Sequence, residues 1–201
     1  MASATSIANG ALIKLGQDLI NAITDTNSKA ARICNERLPN ARQVVLNSAP
    51  FNGSVKRVTL ASTVNTPEFF YTNEFQLPSD CLTLITVEPQ YKDTDYALEG
   101  DKILYSGTEL NIIYVADIVN DYNKVDPLVQ EAISAYLAKD IAYIITNDNQ
   151  TANRMEEIYE RTLRKAISRN NKQLKRLTFE GTDWLDARLV GGYPSTYPKV
   201  N

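Results

Sequence analysis

Asp126 to Asn147 reads DPLVQEAISAYLAKDIAYIITN, and the reading of this stretch decides the fold around it. Asp126 has the short, oxygen-bearing side chain that accepts the free N–H groups at a helix start. Pro127 follows at the first helical position, where its missing N–H is no loss. Val129, Ile133, Tyr136, Leu137, Ile141, Ile144 and Ile145 recur at three- and four-residue steps, with Ala132, Ala135, Ala138 and Ala142 between them. An apolar face that wide predicts a helix packed on more than one side. Asn147, Asp148, Asn149 and Gln150 stop it. Lys139–Asp140 breaks the run short of the roughly 20 apolar residues that cross a bilayer, so the stretch reads as a buried core helix.

Working outward, residues 3 to 15 predict a first helix with Ile7, Ala8, Ala11, Leu12 and Leu15 on one face and Gly16 as its left-handed stop. The link GQDLINAITDT offers Leu19, Ile20 and Ile23 to the core. A second helix is expected from Thr26–Ser28 to about Ser48, its apolar face carried by Ala30, Ile33, Cys34, Leu38, Ala41, Val44 and Val45. Pro39 inside it predicts a kink or a break. A fourth helix is expected from Gln150 or Thr151 to about Phe179. Ala152, Met155, Ile158, Thr162, Ala166, Leu174 and Leu177 mark its inner face, and Asn170–Asn171 is a weak point.

Between the second and third helices the period changes. Lys56–Ala61, Phe69–Gln76, Leu82–Glu88, Tyr96–Leu98, Ile103–Tyr105 and Leu110–Val115 are short, rich in β-branched and aromatic residues, and bounded by turn residues. Glu99–Gly100–Asp101 predicts a hairpin between the fourth and fifth strands, and Ser106–Gly107 the next turn. Strand follows strand with no helix between, so the sheet is expected to be antiparallel or mixed. The class is α+β: a four-helix core of residues 1–50 and 120–179, an inserted, mainly antiparallel β-domain of about six short strands over 51–119, and an extended C-terminal arm at 180–201.

The composition is that of a soluble globular protein: 201 residues, 43% hydrophobic, 22% charged, net charge -3. Neither a leader peptide nor a membrane span is expected. Cys34 and Cys81 fall on apolar faces and read as small buried hydrophobes, with a disulfide between them as the alternative. There is no histidine, which closes Ser–His–Asp and Cys–His catalysis and the common His-containing zinc sites. A carboxylate-pair hydrolase acting on cell wall stays open on paper, but the spacing of the 24 acidic residues does not favour it. No phosphate-cradling glycine loop occurs. Asp93, Asp95, Glu99 and Asp101 lack calcium-loop spacing and read as decoration of a solvated hairpin. No catalytic residue, metal or cofactor is assigned.

One charge constellation stands out. Arg161, Arg164, Lys165, Arg169, Lys172, Lys175 and Arg176 fall within one run of the fourth helix that holds no acidic residue. Such a face suits phosphate contact or an acidic partner, and it also suits plain solvation. The arm beyond it combines Gly181, Gly191, Gly192, Pro194 and Pro198, which prevent a long helix, with Trp184, Leu185, Leu189, Tyr193 and Tyr197, which are costly to leave in water. That combination predicts an arm awaiting a partner surface, with packing on its own domain as the alternative. The 11 tyrosines, several on expected strands, suit subunit interfaces and half-exposed sheets equally.

Three stretches together resemble one known family. ANGALIKLGQDLINAITDTNSKAARICNERLPNARQVVLNSAPF is similar to the start of the head-to-tail adaptors of short-tailed bacteriophages (tail tubular protein A, or gatekeeper), which typically show I-N-x-A-L-x-x-L-G, then A-A-R-x-C-N, then a helix ending near V-L-…-P-W. FQLPSDCLTLITVEP resembles their Y-x-L-P-x-D-C-L-R-…-V segment. LNIIYVADIVNDYNKVDPLVQEAISAYLAKDIAYIIT resembles L-x-x-Y-I-…-D-…-F-x-x-A-L-…-L-A-x-x-I-A. Order and spacing agree over roughly residues 7 to 146. Phe51 stands where tryptophan is usual and Thr83 where arginine is common, and the C-terminal third matches loosely.

The resemblance implies a non-enzymatic virion protein of the tail, assembled in the host cytoplasm. About twelve copies would form a ring joining portal protein to tail nozzle (tail tubular protein B-like), with viral DNA passing through it. It further implies that Trp184, Leu185, Arg188, Tyr193 and Tyr197 dock on the portal, and that the basic run faces DNA or portal. A nucleic-acid-binding accessory protein using the basic helix is the alternative.

Overall fold

The computed structural model describes residues 2–88, 95–119 and 121–173. The chain is mixed α+β, with four α-helices and two small antiparallel sheets among these residues. Helix α3, Pro127–Thr146, is the element on which α1, Ala4–Lys14, and α2, Lys29–Asn47, both pack. Asp126 caps it, accepting the Leu128 N–H at 2.9 Å, and Asn147 ends it in the left-handed region at φ 53°. A short amide side chain tolerates that conformation where most residues do not. Ala132, Ala135, Ala138 and Ala142 are fully buried. With only a methyl each, they let neighbouring helices come near. Gly10 of α1 marks the closest approach: a Cβ there would lie 2.7 Å from Ser134 Oγ.

Helix α1 starts at a reciprocal cap, Ser3 and Ser6 each accepting from the other's backbone N–H. Gly16 follows it at φ 67°, as expected of a left-handed stop. Helix α2 begins after Ser28, whose hydroxyl accepts from Ala31 N–H, and runs unbroken through Pro39. Its core face is displaced from the expected one. Ala31, Arg42 and Leu46 are buried with Cys34, Leu38, Ala41 and Val45, whereas Ala30, Ile33 and Val44 are half-exposed. In the link after α1, Ile20 is buried but Leu19 is 61% exposed.

Strands β1 (Val55–Ala61), β6 (Glu109–Ala116) and β3 (Cys81–Glu88) form one sheet with β6 in the middle. Strands β2 (Asn73–Gln76), β5 (Lys102–Tyr105) and β4 (Tyr96–Glu99) form the other, with β5 in the middle. All pairings are antiparallel. The single sheet expected from sequence is therefore two. Phe75, Val87, Ile103, Leu110, Ile112, Tyr114 and Ala116 form a core that draws on both sheets. On β6 the alternation of a strand divides the work: Ile112, Tyr114 and Ala116 face that core, while Val115 joins the helical core with Phe51, Ile118 and Tyr122. The expected strand Phe69–Gln76 keeps only its second half. Phe70 sits at φ 68°, which a strand cannot accommodate.

Helix α4, Asn149–Gln173, follows α3 after a two-residue link. It continues through Asn170–Asn171 as helix. The expected extension to Phe179, with Leu174 and Leu177, lies outside the described residues. Met1–Asn171 form one compact unit. The second unit, Lys172–Asn201, is described only at Lys172 and Gln173.

Candidate functional site

The basic run is a solvent-facing stripe. Arg161, Arg164, Lys165, Arg169 and Lys172 are all exposed on α4, whereas Met155, Tyr159, Ala166 and Asn170 are buried. Arg154, which the sequence reading left out, joins them. Arg154, Arg161, Lys165 and Lys172 succeed one another at seven-, four- and seven-residue steps, which keeps them on one side of a helix. Their signal was there in the spacing, but Arg154 stands apart from the dense part of the run. Arg154, Arg161 and Arg164 line an open groove of about 430 Å³ with Glu157 and the half-buried Ile158.

The stripe is not uniform in what it has left to give. Arg164 pairs along the helix with Glu160 at 3.3 Å. Arg169 is a clip: its Nε lies 2.7 Å from Asp126 Oδ2, the carboxylate whose other oxygen caps α3. Arg154, Arg161, Lys165 and Lys172 have no ion pair among the described residues. Lys175, Arg176, Trp184, Leu185, Arg188, Tyr193 and Tyr197 lie outside the described residues.

The orientation of α4 is set by several contacts. Tyr159 meets Tyr136 of α3 edge-to-face, with ring centroids 5.0 Å apart at 78°. Lys139 lies 5.7–5.8 Å from both ring centres and bonds Glu156 at 2.6 Å. Near the far end, Asn170 is buried and uses both halves of its amide. Its Oδ1 accepts the Asn52 N–H at 2.9 Å, and its Nδ2 donates to the Pro50 carbonyl at 3.1 Å. The asparagine that reads as a helix breaker is a tether.

The three stretches that carry the family resemblance meet at one junction between helices and sheet. Arg42 of α2 makes a two-pronged bond to Asp117, the longer prong 2.9 Å, with both side chains buried. It also bonds the Tyr122 hydroxyl. Asp117 N–H donates to the Asp80 carbonyl at 2.8 Å, and Asp80 accepts from the Tyr114 hydroxyl and from Lys56. Thr83 at the start of β3 bonds Asn47 at the end of α2. Burial alone would raise the Asp117 carboxyl, but hydrogen bonds from Arg42 and then Gln43 outweigh it and hold the group below the usual carboxylate range. Tyr114 is pushed up to about 12 by burial and by the neighbouring Asp80. Arg42 was missed in the sequence, where it reads as one polar residue on a mostly polar helix.

Two apolar features complete the surface. Val64, Phe69 and Phe70 project from the loop between β1 and β2, Phe70 at 89% exposure. A groove of about 790 Å³ opens between Leu77, Pro78, Leu82 and Leu84 and the β4–β5 hairpin at Leu98 and Asp101. Among the described residues no cluster of three metal-ligating side chains occurs, and no helix is long and apolar enough to cross a membrane. No protein-family model matches the chain, and no curated protein matches it.

Proposed function

We propose that the chain is a ring-forming head-to-tail adaptor of a short-tailed bacteriophage, a structural protein without catalytic or cofactor chemistry. The observation that carries this reading is the junction through Arg42, Asp80, Asp117 and Tyr114. Three stretches that are far apart in sequence and each resemble the adaptor family contribute to a single, partly buried network, rather than standing as unrelated local patterns. The helices over 1–50 and 120–179 would supply the ring body, the strands over 51–119 an inserted domain, and residues 180–201 an arm that docks on the portal through Trp184, Leu185, Arg188, Tyr193 and Tyr197. The basic stripe on α4, which is exposed and in which Arg154, Arg161 and Lys165 make no ion pair among the described residues, suits a surface facing DNA or portal.

The test is native mass spectrometry of the purified chain with the portal of the same virus. Addition of the chain to the portal in about twelve copies is the expected outcome, and a chain that ignores the portal overturns the adaptor. A second reading, a nucleic-acid-binding accessory protein, is favoured by the stripe alone. It requires that the isolated chain bind free duplex with an affinity falling steeply as salt rises. Binding to duplex without binding to portal selects it.

A further inference from the structure

The α4 cations that make no ion pair among the described residues have a counterpart on the same chain. The β4–β5 hairpin carries Asp95, Glu99 and Asp101, all exposed. Its one cation, Lys102, is taken by Glu74 at 2.8 Å. Among the described residues Asp95 accepts from the Tyr71 hydroxyl at 3.1 Å and Asp101 from the Gln76 amide at 2.8 Å, and neither makes an ion pair. Between these carboxylates Leu98 is 53% exposed and Tyr96 40% exposed. The hairpin is therefore acidic at its rim and apolar at its centre, and Leu98, Gly100 and Asp101 form one wall of the 790 Å³ groove. The α4 face is mainly its complement: Arg154, Arg161 and Arg164 surround the half-buried Ile158 with one acidic residue, Glu157, among them, and Lys165 is exposed on the same helix.

We infer that the β4–β5 hairpin of one copy docks against the α4 basic face of a second copy, as the head-to-tail contact that propagates the ring. This deepens the adaptor reading and rests on it, and it gives the Arg154–Lys165 part of the stripe to the neighbouring copy instead of to DNA or portal. Arginine suits the pairing because its methylene stem covers apolar surface while the guanidinium reaches a carboxylate in two-pronged fashion. The occupant follows from charge. Each surface repels a copy of itself, and each attracts the other. Within one copy β4 is an outer strand of the β2–β5–β4 sheet, and α4 is clipped to α3 by Tyr159, Glu156 and Arg169. Both surfaces are exposed among the described residues. Two unlike, complementary surfaces on one subunit give a heterologous contact, which closes into a ring or runs on as a filament.

Charge swapping tests it, with sedimentation velocity of the full chain at low salt as the readout. Arg161→Glu with Lys165→Glu reverses the helix, and Glu99→Lys with Asp101→Lys reverses the hairpin. Circular dichroism confirms that each variant folds. The wild type is expected to self-associate, and more weakly as salt shortens the screening length from about 10 Å at 0.1 M to about 3 Å at 1 M. Each reversal alone is expected to weaken association at least about tenfold. An equimolar mixture of the two variants, or one chain carrying both reversals, is expected to restore it. Three results overturn the contact: a wild type that stays monomeric at low salt, single reversals that associate like wild type, or a swap that fails to rescue. A chain that is monomeric alone yet mounts on its portal overturns this contact and leaves the adaptor standing. A chain whose swap-rescued association persists while it ignores the portal does the opposite.

Discussion

At the scale of single residues, the Arg42–Asp117 pair is the most consequential arrangement in the described chain. Both side chains are nearly excluded from water, at 6% and 8% exposure, so removing one partner strands the other. Asp117→Ala is expected to cost about 3 kcal/mol or more, read as a shift in the urea midpoint. The carboxyl is held below its unfolded value, so its stabilisation is complete above that value, near pH 4, and is lost as pH falls through the folded one. Midpoints measured across that acid range should decline in the wild type, and less steeply in Asp117→Asn. Phe70 presents the opposite case. It holds a left-handed conformation that its side chain disfavours, and at 89% exposure it gains little from burial. Phe70→Asn should raise stability by about 1 kcal/mol, and a variant that unfolds earlier would show that the ring is needed where it stands. Cys34 is inert for a stated reason. Burial pushes its thiol up to about 11, so alkylation at neutral pH should wait for unfolding.

At the scale of elements, helices announced themselves and strands did so only in part. The cap and start of α3 were legible because Asp126 and Pro127 act on backbone groups within one turn. The same carboxylate also receives Arg169 from α4, which no local rule shows. Asp126→Ala should therefore cost more than the usual 1 kcal/mol or so of a lost cap, whereas Arg169→Ala should leave α3 capped and loosen only α4. Hydrogen exchange of the two helices separates these outcomes. Asn170–Asn171 reads as a weak point of α4 because asparagine is a poor helix former in isolation. Here its amide bonds the backbone at Pro50 and Asn52, and that offsets the local preference. Asn170→Leu should destabilise by about 1–3 kcal/mol, with faster exchange first in the last turns of α4. The strand expected at Phe69 fell short for the converse reason: aromatic residues favour strands only where the backbone can extend.

At the scale of the whole molecule, every residue of the helical core described lies between Ile7 and Ala166. A docking arm at 180–201 predicts that deleting those residues leaves the thermal midpoint within a few degrees, while abolishing capture by the portal. A truncated chain that still binds the portal would sink the docking arm, on which Trp184 and its neighbours depend. What the sequence by itself determined was the identity and rough extent of the elements. Apolar spacing, caps and turn residues act over three or four positions, and they mark α1, α3 and the β4–β5 hairpin without reference to the rest of the chain. The basic character of α4 was equally plain, since charge is read directly. Only the tertiary structure decided which α2 face is buried, that the strands divide into two sheets around β6 and β5, that Arg154 joins the stripe, and that three distant stretches share one junction. The reason is separation along the chain. Arg42 and Asp117 are 75 residues apart and Asn170 and Asn52 are 118 apart. Such pairs leave no local period, so their energies enter only once the chain has closed on itself.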